Sequence, residues 1–335
     1  MPSIKEETKF NRVYCIRKSL IDRGFSESSA DVIIASWRPS TIKQYQYSWR
    51  KFVIWCVQRK TNSFRPSEKD VIDYLNFLKD SNFSYSVLNT TRSMLTQTLS
   101  FFGVDVTKFV FVDRMLKGCF NLNPPRARYS FTWDVNLVLT FLSSLYPLED
   151  LTLKTLTFKL VSLVALTTAA RAQSISALDL HFMSFSQRQG TIVFHIQELL
   201  KTTRPGFSLP NVVFKRFDKP ELCVVKTMIN YVLRTKDVRK TSSLFISYAT
   251  FRKVSTSTLS RWLKTVLLLA GIDINIFKAH SFRCASTSAA LASGCSIKDI
   301  MVTANWTCAK TFYKFYYREL NNTGTKDFSS AVITG

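Results

Sequence analysis

The chain has 335 residues, enough for two domains, and it is 46% hydrophobic and 13% aromatic, enough to bury two cores. Lys and Arg number 46 against 23 acidic residues, a formal charge of +23 that points to a polyanionic partner. The apolar content excludes disorder over most of the length, and a transmembrane helix is excluded because no uncharged apolar run reaches roughly eighteen residues.

The longest apolar stretch, 160–170, is too short to span a bilayer, and the start around Ile4-Lys5-Glu6-Glu7 lacks the apolar core of a signal peptide. Seven cysteines without a C-x-x-C pair read as buried or free thiols in a reducing compartment. The histidines His181, His195 and His280 are too scattered for a metal centre, so no metal site is expected.

In chain order, residues 1–25 read as a basic N-terminal arm or short helix carrying Arg12, Arg17, Lys18 and Arg23, with compact structure starting near Ser26. A helical block follows over 26–120. Ser26 can cap a helix to Trp37 that Pro39 stops. Ser40 can cap a long helix whose stripe is Tyr45, Trp49, Phe52 and Val53. Lys43, Tyr47 and Arg50 lie on another face of that helix, and Lys43 and Arg50 are candidate DNA contacts. Ser67 and Asp70 have the spacing of a capping box, and 84–102 and 107–120 complete the block. Residues 121–130 read as a linker, because Pro124 and Pro125 exclude helix, and Arg126 and Arg128 give it positive charge suited to a nucleic-acid backbone.

The second block spans 131–320. A helix begins near Thr132, and 151–170 is apolar enough to be a buried helix. Residues 181–186, 191–198 and 207–214 then alternate like three strands, with Gln189-Gly190 and Pro205-Gly206 at the turns, which predicts a small antiparallel sheet in helical surroundings. Helical patterns return at 220–233, 257–270, 280–292, 296–304 and 308–318, and a polar tail ends the chain, its last part 321–335. The predicted fold class is mainly α, in two domains, with one antiparallel three-stranded sheet.

The chemistry-bearing residues lie in the second block. His280 and Arg283, three apart, share a helix face; Trp306 and the tyrosines of Phe315-Tyr316-Tyr317 follow; Arg171 and Lys201 precede them. A phosphodiester resists attack because its oxygens are anionic and its leaving alkoxide is poor. Without a metal, protein cations must stabilise the transition state, a donor must protonate the leaving oxygen, and a hydroxyl must attack. Two arginines, a lysine, a histidine and a tyrosine form such a set. Each alone has a plain structural reading, as a salt-bridge Arg, a solvated turn Lys, a helix-capping pair, a core Trp or a packing Tyr. Their order distinguishes them: buried helix then Arg, strands with a turn Lys, His-x-x-Arg, Trp, then Tyr.

The segment Ala279-His280-Ser281-Phe282-Arg283-Cys284-Ala285-Ser286-Thr287-Ser288, with Asn305-Trp306 and Thr311-Phe312-Tyr313-Lys314-Phe315-Tyr316-Tyr317-Arg318, resembles the tyrosine recombinases of the phage-integrase type. It is most similar to the eukaryotic branch found in DIRS-like and Ngaro-like retrotransposons and cryptons. The likeness covers roughly 130–320, and the first block looks like the family's core-binding domain. The resemblance implies that Arg171 and Arg283 hold the scissile phosphate, that Lys201 protonates the departing 5′ oxygen, and that His280 moves the nucleophile's proton while Trp306 packs the site. Tyr316 is the implied nucleophile, with Tyr317 and Tyr313 as alternatives; Arg204 and Lys215 are weaker candidates for the lysine role. Ser174 stands where the family carries an acid, and nearby Asp179 reads as a helix-end residue. The implied activity is that of a site-specific recombinase or integrase of a mobile element, using no cofactor. It would act on double-stranded DNA in the nucleus, with a dimer at each site and a homo-tetramer on two duplexes. A DNA-binding derivative that has lost catalysis is the alternative suggested by Ser174, and a topoisomerase-like relaxing enzyme shares the chemistry.

Overall fold

A computed structural model of the protein describes residues 8–125, 131–201, 203–206, 211–306 and 308–320. The chain divides into two compact units, Met1–Ala127 and Arg128–Gly335. Arg126, Arg128 and the tail 321–335 lie outside the described residues, as does part of the third predicted strand, 207–210.

The first unit is helical: α1 (Arg12–Asp22), α2 (Glu27–Ile34), α3 (Pro39–Arg59), α4 (Glu68–Asp80), α5 (Tyr85–Leu99) and α6 (Val110–Leu122). On α3, Trp49, Phe52 and Val53 are fully buried against Tyr74, Leu75, Leu95 and Leu99, and the half-buried Tyr45 keeps its hydroxyl 2.7 Å from Ser93 Oγ. The pattern of that stripe follows from helical periodicity. Ser67 and Asp70 form the capping box in full, each side chain meeting the other's backbone N–H.

Two expectations for this unit are corrected. Pro39 does not stop the preceding helix, which ends at Ile34; it is the first residue of α3, with Arg38 rather than Ser40 at the N-cap. Proline fits there because its φ is already helical and its missing N–H has no intrahelical acceptor to lose. Compact structure also starts before Ser26. Helix α1 buries Ile16 and Leu20, and Arg12, one turn earlier on the same stripe, is fully buried. Arg12 Nε donates to Thr98 Oγ1 at 2.7 Å, and its guanidinium lies 4.4 Å from the Trp37 ring and 5.1 Å from that of Tyr45. A cation stacked between aromatic faces can be interior, so the charge of this segment hid its amphipathic pattern. Burial lowers the pKa of Arg12 to about 10.

The second unit is built around α8. In order it contains β1 (Phe131–Thr132), α7 (Val135–Ser144), α8 (Leu153–Thr168), α9 (Ala172–Ser176), β2 (Met183–Ser186), β3 (Thr191–Phe194) and β4 (Val212–Lys215). It continues with α10 (Val224–Thr235), α11 (Thr256–Leu269), α12 (Ser281–Ala292), α13 (Ile297–Thr303), α14 (Ala309–Phe315) and β5 (Glu319–Leu320). Helix α8 is buried on every side from Leu156 to Ala165 and packs against α10, α11 and α12. Of the polar residues it carries inside, Thr157 and Thr168 bond carbonyls four residues back and Lys159 Nζ donates to Leu145 O at 2.5 Å, while Ser162 Oγ is buried without a partner among the described residues. The three-stranded sheet is antiparallel in the order β2-β3-β4, with Met183 opposite Phe194 and Thr191 opposite Lys215. The mainly helical architecture with one small antiparallel sheet is therefore as expected from the sequence.

The strands are shorter than the alternation suggested. Residues 180–182 form a 3₁₀ turn, and β3 ends at Phe194. The last helix also stops early, at Phe315 rather than residue 318, and Glu319–Leu320 pair in parallel with Phe131–Thr132, a contact of two residues that no periodicity could announce. Among the described residues no helix is long and apolar enough to cross a membrane.

Replacing Trp49 by Ala should destabilise the first unit by about 3–5 kcal/mol, and Ser67→Ala should cost about 1 kcal/mol through the lost cap. Urea denaturation followed by circular dichroism checks both; equal effects would mean that Trp49 does not carry the core.

Candidate active site

Helix α12 organises the site. Its start is pinned by Ser281, whose Oγ accepts a hydrogen bond from Trp133 Nε1 at 2.8 Å, and by Phe282, which meets the Trp133 ring edge-on at 5.2 Å. With Phe282 and Ala285 in the main core, Arg283 is directed to another cluster, that of Ala169, Ala304, Trp306 and Phe312. Arg283 is 2% exposed. Its Nη1 donates to Ala169 O at 2.7 Å and its Nη2 to Ala304 O at 2.5 Å. These two residues cap the C-termini of α8 and α13, where carbonyls lack helical partners and the backbone dipole favours a cation. Desolvation first and repulsion by Arg171 second lower the Arg283 pKa, against an opposing effect of Tyr316, to about 10. The guanidinium still carries its charge at neutral pH.

Arg171 follows Ala169 by two residues and stands, half-buried, at the N-cap of α9. Lys201 lies exposed in the connection between β3 and β4. The pKa of His280, at the N-cap of α12, falls below its ordinary value of 6.5, first by desolvation and then by the charges of Arg283, Arg171 and Lys201. Part of the ring remains open to solvent, which moderates the effect. The four basic side chains that the sequence singled out are thus brought to one electrostatic neighbourhood.

Tyr316 completes it. Its hydroxyl is 3.3 Å from His280 Nε2, and the two rings meet edge-on with centroids 5.7 Å apart. The Tyr316 ring lies 4.5 Å from that of Trp306, and the Arg283 guanidinium is 4.4 Å from the Trp306 ring and 5.3 Å from that of Tyr316. A neutral imidazole beside a phenol can accept its proton. Tyr313 and Tyr317 are 47% and 42% exposed and pack on each other, with centroids 6.0 Å apart. Trp306 Nε1 and Arg283 Nε are buried without hydrogen-bond partners among the described residues.

Arg204 and Lys215 lie elsewhere along the β3–β4 region, Arg204 exposed beyond Lys201 and Lys215 exposed at the end of β4. Asp179 is structural: its carboxylate accepts from His181 N at 2.9 Å and Ser242 Oγ at 2.7 Å. Ser174 borders a cavity of about 220 Å³ with Arg171, Arg283, Asn211 and Asn305, and among the described residues no carboxylate lines it. Among the described residues no cluster of His, Cys, Asp and Glu is placed to hold a metal ion. The sequence reading missed the carbonyls of Ala169 and Ala304, since a backbone acceptor leaves no side-chain signature. On α3 of the first unit, Lys43, Tyr47 and Arg50 are exposed on successive turns.

Three solved structures share this architecture. The Tn1549 transposon integrase in complex with transposon right-end DNA is 14% identical, with a TM-score of 0.58 over 97% of this chain and 98% of that one. The lambda integrase dimer bound to a COC′ core site is 12% identical, with a TM-score of 0.56 over 95% and 79%. The XerH site-specific recombinase bound to a palindromic difH substrate is 12% identical, with a TM-score of 0.58 over 82% and 76%. The chain has the tyrosine recombinase fold. No protein-family profile matches it, and no curated protein matches it in sequence. In this tyrosine recombinase fold the convergent cations, His280 and Tyr316 occupy one end of the α8–α12 packing, where both α8 and α13 end.

The sign of the His280 shift sets its pH behaviour. Because the folded pKa lies below 6.5, the unfolded chain takes up the proton first as pH falls. The contribution to stability is complete above 6.5 and declines as pH drops through the window beneath it. Lys201→Ala and Arg171→Ala should each raise the His280 pKa, read by NMR titration of the ring. An unchanged titration in both variants would separate these residues from the site.

Proposed function

We propose that this chain is a site-specific DNA recombinase or integrase that breaks and rejoins strands through a 3′-phosphotyrosyl intermediate. We further propose that it belongs to a mobile element of the eukaryotic DIRS, Ngaro or crypton type and works in the nucleus. The observation that carries this reading is the Tyr316 hydroxyl, 3.3 Å from His280 Nε2, beside a guanidinium from the same helix as the histidine's cap position. In the proposed reaction the phenol oxygen attacks the scissile phosphorus and its proton passes to neutral His280. Arg171 and Arg283 neutralise the non-bridging oxygens, and the Trp306 N–H donates to one of them. The bond from phosphorus to the 5′ oxygen breaks, and Lys201 supplies the proton that this oxygen takes. A 5′ hydroxyl from a partner strand then attacks the phosphotyrosine and releases Tyr316. The covalent link conserves the energy of the diester, so strand exchange needs no nucleotide cofactor.

The chain's charge of +23 and the exposed Lys43, Tyr47 and Arg50 support double-stranded DNA as the partner, with the 26–120 block as the core-binding domain, Arg126 and Arg128 along the linker, and 131–320 as the catalytic domain. The solved relatives by fold are DNA complexes, and lambda integrase is a dimer on its core site. A dimer on each site and a tetramer on two duplexes follow for this chain by analogy. Ser174, with no carboxylate lining its cavity among the described residues, favours the second reading, a DNA-binding derivative without cleavage.

Tyr316→Phe should abolish covalent protein–DNA adducts on nicked duplexes of randomised sequence while leaving retention of those duplexes intact. Persistent adducts would shift the nucleophile to Tyr313 or Tyr317, and a wild-type chain that binds but forms none would select the derivative. Arg171→Ala should slow adduct formation by about 100- to 1000-fold. Lys43→Ala and Arg50→Ala should each flatten the slope of log affinity against log salt by about 0.9, if each contacts one phosphate.

A further inference from the structure

Tyr316 is held by its main chain as well as by its ring. It caps the C-terminus of α14, a helix of seven residues, and its own-helix restraint is a pair of amide bonds, from Tyr316 N and Tyr317 N to Phe312 O, both 2.8 Å. So short a helix is weakly stable by itself, and its last carbonyls lack intrahelical donors. The carbonyl of Tyr316 receives two donors from α12 instead: Cys284 Sγ at 3.0 Å and Ser288 Oγ at 3.1 Å. Ser288 Oγ in turn accepts from Arg318 N at 3.2 Å, which fixes the backbone on the far side of the tyrosine. Both side chains are nearly fully buried, at 2% and 3% exposure. Burial raises the Cys284 thiol pKa, which keeps the sulfur protonated and able to donate.

His280, Cys284 and Ser288 are spaced four apart, so one stripe of α12 contacts the phenol at one end and the carbonyl of the same residue at the other. We infer that Cys284 and Ser288 are positioning residues that hold the Tyr316 backbone so that its hydroxyl stays in register with His280. The inference deepens the recombinase reading and rests on it. A plain packing role would need no donor, yet both residues present one to the same oxygen. Displacement of a reacting atom by about 1 Å can cost about 100-fold in rate, so two modest hydrogen bonds far from the phosphorus can matter to the chemistry.

The test uses the full chain with two readouts. One is adduct formation on saturating nicked duplexes of randomised sequence; the other is hydrogen exchange of the Tyr316–Arg318 amides without DNA. The double variant Cys284→Ala with Ser288→Ala should slow adduct formation by roughly 10- to 100-fold, with retention of the duplexes unchanged. It should also speed exchange at those three amides by roughly tenfold while the α12 amides keep their protection. Cys284→Ser and Ser288→Thr, which keep a donor, should restore both readouts, and Ser288→Ala alone serves where the double variant does not fold. Wild-type rates and exchange in the Ala variants overturn the inference. So does a loss confined to DNA retention that Cys284→Ser does not rescue, which would mark a packing role. A wild-type chain that forms no adduct sinks the recombinase reading instead, and the exchange measurement then decides by itself whether the anchor exists.

Discussion

The buried guanidinium of Arg283 is the constraint on which the second unit's site depends. A full charge at 2% exposure is expensive unless its donors are met, and here two main-chain carbonyls meet Nη1 and Nη2. Both belong to helix C-termini, so the cation sits at the negative ends of α8 and α13. The placement also fixes geometry. Arg171 is two residues past the carbonyl of Ala169, and Trp306 two residues past that of Ala304. Ala169 and Asn305 both take left-handed backbone, with φ of 46° and 52°, turning the chain sharply where each segment leaves its helix. One side chain thereby ties three separate stretches of sequence to a common point.

Such an arrangement brings like charges together. Arg171 and Arg283 repel, and with Lys201 they depress the proton affinity of His280. Among the described residues, the cavity that Ser174 borders brings no carboxylate to balance them. This repulsion is a cost to the free protein that an anionic group placed among the cations would relieve. Desolvation first, and then this field, lower the His280 pKa and so favour the neutral imidazole, the state that can accept a phenolic proton. Carbonyl dipoles stabilise Arg283 without neutralising it; an acid in place of Ser174 would cancel part of the field that an anion requires.

How much of this was legible depended on the range over which each signal acts. The stripe of Tyr45, Trp49, Phe52 and Val53 could be read because helical periodicity repeats along twenty-one residues of α3, and the Ser67–Asp70 box because both partners lie within one turn. The order of Arg171, Lys201, His280, Arg283, Trp306 and Tyr316 could be read through resemblance, and the structure draws their segments together, but their mutual distances belong to tertiary packing. Helix α1 reads from sequence as an arm or short basic helix ahead of the compact structure because its buried face contains Arg12, and a pattern based on apolar residues scores that face as broken. Pro39 was misread because proline both ends and begins helices, and the difference lies in where the preceding helix has already stopped.

The early end of α14 shows why the remainder was out of reach. Aromatic spacing alone extends this helix to residue 318, since Phe312, Tyr313, Tyr316 and Tyr317 recur with helical periodicity. Had it continued through residue 320, the carbonyl of Tyr316 would be committed to an amide four residues on, and Cys284 and Ser288 would face an occupied acceptor. The helix instead stops at Phe315, the freed carbonyl turns to α12, and two residues later the chain pairs with β1. Termination is therefore decided by competing donors on another helix and by a strand almost two hundred residues earlier, both invisible to any local window. The same competition has a chemical consequence: a tyrosine inside a continuous helix moves with that helix, whereas one held at its carbonyl by α12 moves with the element that also presents His280 and Arg283.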